Sequence, residues 1–246
     1  MGIFGRFFKK ELEPIDFSKL GADIHSHLIP AIDDGSKSLE DSVVLIQGLM
    51  DLGFKKIITT PHIMKDHYPN DQDTILNGLA KLKDHLVEKG IVIEIEAASE
   101  YYFDYHFREL VAKKELLTFG DTYVLFEVPM SASARGVKEV VFELCMEGYK
   151  PILAHPERYL YLYDDLDYFK ELVDRGVRLQ VNLMSLEGYY GKRVKKMAEQ
   201  LIDADLVSFL GTDLHNHMQL PVLKRCQQNP YVHKLIKSGK LENGKL

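Results

Sequence analysis

Cysteine is nearly missing from this 246-residue chain: Cys145 and Cys226 are the only two, and they form no C-x-x-C pair. A disulfide framework is excluded, and a reducing compartment is expected. Long apolar runs are missing as well. No stretch approaches the roughly 18 residues that a transmembrane helix needs, and the opening Met1–Lys10 lacks the apolar region and small-residue cleavage site of a secretory signal. A cytoplasmic protein is expected. Net positive charge is the third absence, since 31 Lys and Arg stand against 37 Asp and Glu, for a formal charge of −6. Nucleic-acid binding by bulk charge is therefore not expected, because it rests on a basic footprint. A phosphorylated substrate stays open, since bound metal ions reverse a field locally.

What is present is ordinary globular material: 46% hydrophobic and 28% charged residues, enough for a sizeable core. The length suits one domain over 1–246, with an N-terminal extension over 1–20 and a C-terminal helix and tail over 222–246. In that extension Ile3, Phe4, Phe7 and Phe8 stand beside Arg6, Lys9 and Lys10. They suit a short amphipathic turn; packing on the domain is favoured over contact with the inner face of a membrane or with a partner.

From Gly21 onward, short apolar runs alternate with helical patterns, the mark of an α/β fold built on a parallel sheet. The expected strands are Gly21–His27, Lys55–Thr60, Ile91–Ser99, Thr122–Val128, Lys150–Ala154, Val177–Leu183 and Leu206–Gly211. The first helix opens at the capping box Ser38–Asp41 and closes at Gly53. Others are expected over Asp71–Lys89, Asp104–Lys114, Gly136–Glu147, Leu166–Asp174 and Arg193–Asp203. Seven βα units suggest a barrel, although an open sheet fits the same pattern.

In such folds reactive groups gather where strands end. Here the first strand ends in His25-Ser-His27 with Asp33-Asp34 after it, the second in Thr60-Pro-His62, and the third near Glu100. The fourth ends at Glu127, the fifth in Ala154-His-Pro-Glu-Arg158, and the last in Thr212-Asp-Leu-His215. Only the sixth, ending near Asn182, has no strong ligand. Period-two alternation puts His25 and His27 on one face of their strand. Each residue alone reads as an ordinary histidine or a solvated carboxylate. Nine of them at six strand ends point to a polynuclear metal site, because clustered buried carboxylates need cations. His85 and His233 read as surface residues, and His67, His106 and His217 as loop groups near the same mouth.

These strand-end motifs resemble those of the polymerase and histidinol phosphatase (PHP) superfamily. The run His25-Ser-His-Leu-Ile-Pro-Ala-Ile-Asp-Asp-Gly35, with Phe126-Glu-Val-Pro129 and Ala154-His-Pro-Glu-Arg158, is similar to its bacterial protein tyrosine phosphatase branch, which serves capsule and exopolysaccharide systems. The resemblance runs from about Gly21 to Pro221. It implies a distorted (β/α)7 barrel with three divalent metal ions at the carboxyl ends of the strands. His25, His27, Glu100 and Asp213 would hold the first ion. Glu100 would bridge to a second, completed by Glu127 and His155, and Asp34, His62 and His215 would hold the third. Imidazole and carboxylate without thiolate suit Mn²⁺, with Zn²⁺ or Fe²⁺ as alternatives.

Arg158 is the best phosphate clamp, since a guanidinium binds two oxygens at once; the bland alternative is a salt bridge to Asp164 or Asp165. The branch often has another arginine just after the last metal histidine, where this chain reads His215-Asn-His-Met-Gln-Leu-Pro221. Either Arg135 or His217 is expected to compensate, or the grip on phosphate is weaker. The implied substrate is a phosphotyrosine protein, namely the tyrosine-rich tail of a bacterial capsule-system kinase. Tyr101, Tyr102, Tyr105, Tyr159, Tyr161 and Tyr163 stand near the mouth, and packing into loops is favoured over stacking on a substrate ring.

The rivals are a small-molecule phosphatase, for instance one acting on histidinol phosphate, and a non-catalytic metal-bound subunit of a polysaccharide-assembly complex. Cysteine-based phosphatase chemistry is excluded, because Pro151 and Val232 stand where C-x5-R needs arginine. Cys145, beside Phe142, Leu144 and Met146, reads as core. Oligomeric state is left open.

Overall fold

The computed structural model describes residues 12–120, 122–131, 135–163 and 165–246. The expected amphipathic turn near the N-terminus and Asp164 lie outside them. In chain order the elements are β1 (Ala22–Asp23), α1 (Leu39–Asp51), β2 (Lys56–Thr59), β3 (His62–Ile63), α2 (Gln72–Glu88), β4 (Glu94–Ala97), β5 (Glu100–Tyr102) and α3 (Tyr105–Lys113). Then follow β6 (Tyr123–Glu127), α4 (Val137–Met146), β7 (Lys150–Ala154), α5 (Leu166–Asp174), β8 (Arg178–Asn182), α6 (Leu183–Leu186), α7 (Lys192–Asp203), β9 (Val207–Gly211), α8 (Leu220–Cys226) and α9 (Pro230–Ser238). Among the described residues, no helix is long and apolar enough to cross a membrane.

All strand pairing between these elements is parallel, in two sheets ordered β1-β2-β4 and β3-β5-β6-β7-β8-β9. Two expected strands, Lys55–Thr60 and Ile91–Ser99, are each followed by a further short strand outside the expected bounds. Pro61, which has no N–H to give to a ladder, stands between β2 and β3, and Ala98-Ser99 separate β4 from β5. The chain therefore passes from one sheet to the other at both places. An isolated bridge from Ser26 to Leu214 links the first and last strand ends.

Local chemistry sets the helices. Ser38 accepts a hydrogen bond from the Asp41 amide at the start of α1, and Asp71 and Asp104 do the same for Thr74 and Phe107 in α2 and α3. In α7, Val194, Met197, Ala198, Leu201 and Ile202 are buried at helical spacing, which leaves Lys192 and Arg193 outside. Gly90 and Gly148 follow α2 and α4 at φ +69° and +85°, a conformation that costs a side chain energy.

Packing changes several readings. Ile15, Phe17 and Leu20 belong to the core, so the second half of the expected N-terminal extension is integral to the fold. His233 is buried, not a surface residue, because α9 packs against α6 and α7 and the His233 Nε2 donates to the Gln227 carbonyl. His85 is half-buried beside Glu88, and Cys145 is half-buried rather than core, with Phe142 and Met146 exposed next to it. The residue that occupies the core is Cys226.

Candidate metal centre

Two non-glycine residues, His155 (φ 32°) and Asp213 (φ 52°), take left-handed backbone at the ends of β7 and β9. Such a conformation costs about 1–3 kcal/mol. It turns both side chains inward just as their strands finish, and the Asp213 amide donates to the His25 carbonyl. Glycine makes room elsewhere. A Cβ on Gly35 would lie 2.3 Å from the His27 carbonyl oxygen, so the Asp-Asp-Gly turn can fold under His27 only without a side chain there.

The structure brings all nine expected ligands together. They form four overlapping groups: His27, Asp34, His62 and His215; His25, Glu100 and His155; His25, His27 and Asp213; and His62, Glu100 and Glu127. Within each group the donor atoms lie within 4.8 Å of one another. Glu100 sits at the centre, with carboxylate oxygens 3.1 Å from His25 Nε2, 3.3 Å from His62 Nδ1 and 3.0 Å from His155 Nε2. Asp34, on the rim, lies 3.4 Å from His215 Nε2 and 3.6 Å from His62 Nε2.

Asp33, the neighbour not chosen from the sequence, has a different place. Its Oδ2 accepts from His27 Nδ1 and from the His62 amide, so it orients one ligand and holds another's backbone. The resemblance selects Asp34 over Asp33, and the turn places them accordingly, Asp34 with the ligands and Asp33 behind His27.

The charges within the cluster are unbalanced. Burial would raise the Glu100 carboxyl, yet the imidazoles of His25 and His62 hold it well below the usual range. Burial and the Glu100 charge push Glu127 well above it. Burial lowers His155 to about 4, helped by the Arg158 cation. The buried ring nitrogens His25 Nε2, His27 Nε2 and His62 Nδ1 have no hydrogen-bond partner. Buried donors and acceptors are almost always paired, so ring nitrogens left free beside carboxylates fit divalent cations.

A cleft of about 360 Å3 opens over the cluster, lined by Met130, Arg158, Tyr189, Tyr190, Asn216 and Gln219 together with seven of the nine expected ligands. Arg158 pairs with Asp213, at 3.0 Å from Nη1 to Oδ2, and not with Asp165, which instead caps α5. Its guanidinium lies 4.6 Å from the centroid of the Tyr190 ring. Arg135 is exposed ahead of α4 and is not among the cleft-lining residues. His217 faces a separate groove with Leu52 and Lys224. The tyrosines of the cleft are thus Tyr189 and Tyr190. Tyr101 and Tyr159 are buried with their hydroxyls bonded to backbone, from Leu117 N–H and to Ala154 O respectively.

Comparisons with known proteins point to one family. The chain is 31% identical over 195 residues to the tyrosine-protein phosphatase YwqE of Bacillus subtilis (strain 168), covering 79% of this chain and 77% of that protein. It is 30% identical over 200 residues to the tyrosine-protein phosphatase CpsB of Streptococcus pneumoniae, covering 79% and 82%. A solved structure from work on YwqE and CpsB, described as unique metal-dependent tyrosine phosphatases, superposes with a TM-score of 0.77 at 27% identity. It covers 90% of this chain and 94% of the other. The resemblance drawn from the strand-end motifs is borne out. A family model for capsular polysaccharide synthesis, CpsB/CapC, matches residues 21–242, and the chain belongs to that family.

Proposed function

We infer that this protein is a metal-dependent phosphomonoester hydrolase that removes phosphate from tyrosine in a protein. The convergence of nine imidazole and carboxylate side chains beneath one guanidinium, in a chain of this family, carries the reading. The names of its relatives support phosphotyrosine as the substrate class. We assign three ions. His25, His27, Glu100 and Asp213 would hold one, Glu100, Glu127 and His155 a second, and Asp34, His62 and His215 a third, to which His27 lies near. Mn²⁺ is the proposed metal, with Zn²⁺ or Fe²⁺ as alternatives. A single domain over 1–246 with a distorted (β/α)7 barrel is the proposed architecture, supported by the strands that continue from one sheet into the other.

Bound divalent ions supply Lewis acidity, which acidifies water and neutralises charge on phosphate oxygens. The chain does the positioning. Arg158 spends one Nη1 hydrogen on Asp213 and keeps its other donors for a phosphate at the cleft. Tyr190 supports the guanidinium from its ring face, which limits the orientations Arg158 can take. Met130 and Tyr189 offer an apolar wall to a phenyl ring. The phenolate that departs has a pKa of about 10 and needs little help from an acid.

The physiological substrate we propose is the tyrosine-rich tail of a bacterial kinase governing capsule or exopolysaccharide synthesis, reached in the cytoplasm or at the inner membrane face. The test offers metal-stripped protein a phosphotyrosine peptide, a phosphoserine peptide and histidinol phosphate, restoring Mn²⁺, Zn²⁺ or Fe²⁺ separately. Metal-restored turnover selective for phosphotyrosine, lost in His155→Ala, is expected. Preference for histidinol phosphate would replace the substrate assignment, and no turnover with any metal would overturn the enzyme assignment.

A further inference from the structure

β8 is the expected sixth strand, which has no metal-type ligand at its end, yet it carries two fully buried amides, Gln180 and Asn182, aimed into the cluster. Period-two alternation places both on one face. Glycine at 211 lets them sit there, because a Cβ on Gly211 would fall 2.7 Å from Gln180 Nε2. Three hydrogen bonds then run in series: His25 Nδ1 to Gln180 Oε1 at 2.8 Å, Gln180 Nε2 to Asn182 Oδ1 at 2.8 Å, and Asn182 Nδ2 to Asp213 Oδ2 at 2.7 Å.

The direction of that series is forced. An ionised Asp213 only accepts, so the Asn182 nitrogen must face it and the Asn182 oxygen must face Gln180. Gln180 must then present its nitrogen to Asn182 and its oxygen to His25, and His25 must carry its proton on Nδ1. Asp213 Oδ2 also accepts from Arg158 Nη1 and the Tyr190 hydroxyl, so three donors occupy it. The atoms left uncommitted are His25 Nε2 and Asp213 Oδ1, 3.4 Å apart. Both belong to one candidate metal group.

We propose that Gln180 and Asn182 are positioning residues: their head-to-tail amides fix the His25 tautomer and the free Asp213 oxygen together, so that both ligands present lone pairs to the same cation. The proposal rests on the metal-centre reading above but not on the phosphatase assignment. Partners of this kind change metal affinity by roughly 10–100-fold when removed.

The test compares wild type with the near-isosteric Gln180→Met, Asn182→Leu and the double variant, reading Zn²⁺ affinity by competition with a chromogenic chelator. Each single variant is expected to bind its tightest Zn²⁺ about 10–100-fold more weakly. The double variant should lose no more than the weaker-binding single, because one break interrupts the whole series. Wild-type affinity in both folded singles, or losses that multiply in the double, would overturn the proposal. Histidine 15N spectra of zinc-loaded wild type provide a reading that needs no variant to fold. An Nδ1–H at His25 is expected, and an Nε2–H tautomer there would sink the idea. Turnover is not read, so intact affinity effects in an inactive enzyme would count against the function alone.

Discussion

Along the seam between β1 and β9, Asn243 is fully buried and uses its whole amide: Oδ1 accepts from the Leu210 amide, and Nδ2 donates to the carbonyls of Ala22 and Leu210. Asp23 beside it accepts from the amide and hydroxyl of Thr212. At the carboxyl ends of the same strands, His25 and His27 are just as buried, but their Nε2 atoms have no partner. Both regions carry the desolvation cost of buried polar groups. The seam recovers it through hydrogen bonds within the chain, whereas the mouth depends on something bound. A satisfied buried network holds a structure together, and one left open reserves its atoms for a ligand.

Removing the metal should separate the two regions most sharply. Chelation is expected to reduce phosphotyrosine hydrolysis by at least about 10³-fold, since divalent ions contribute several kcal/mol to such reactions. Far-UV circular dichroism should change little, because the seam does not use the metal; loss of helix signal on chelation would break the comparison. Asn243→Ala should do the reverse. It strands the Leu210 amide and two carbonyls at a cost of about 3 kcal/mol, or a Tm lower by roughly 6–12 °C, with metal content unchanged. Calorimetry with metal analysis checks both halves.

Arg158→Ala tests the rim. Losing a charge-assisted bond to phosphate worth about 2 kcal/mol should lower kcat/KM about 30-fold, and Arg158→Lys should recover only part, as lysine lacks the planar fork. Full activity in the alanine variant would remove Arg158 from the proposed site. The smallest effect belongs to Glu242, which accepts from the Tyr123 hydroxyl and from Arg178 near the seam. Burial alone would raise its carboxyl, but those two partners outweigh burial and hold it below its usual value. A lowered folded pKa means stability that is present above about pH 4.3 and lost as pH falls below it. Glu242→Gln should therefore cost less than about 1 kcal/mol at pH 6, shrinking towards pH 3 in urea titrations.

Much of this arrangement was legible from local pattern. β7 and α5 fall on the expected Lys150–Ala154 and Leu166–Asp174, because alternating runs and helix caps act over a few residues. Ligands were legible because their residue types recur at strand ends. Gln180 and Asn182 carried no such signal, for buried amides look like any polar residue until their partners are known. Tyr189 and Tyr190 were hidden likewise, in a loop whose path α6 and α7 determine. The burial of His233 gave no local signal, because it depends on how α9 packs against α6 and α7.

The sequence by itself determined the βα order, most helix ends and the nine metal-type side chains, since each is encoded by residue types at short spacing. Tertiary structure alone decided that Asp33 orients His27 from behind, that Arg158 pairs with Asp213, and that Arg135 and His217 stay outside the cleft. The reason is physical. Those outcomes depend on distances between residues far apart in the chain, fixed by close packing and left-handed turns at strand ends.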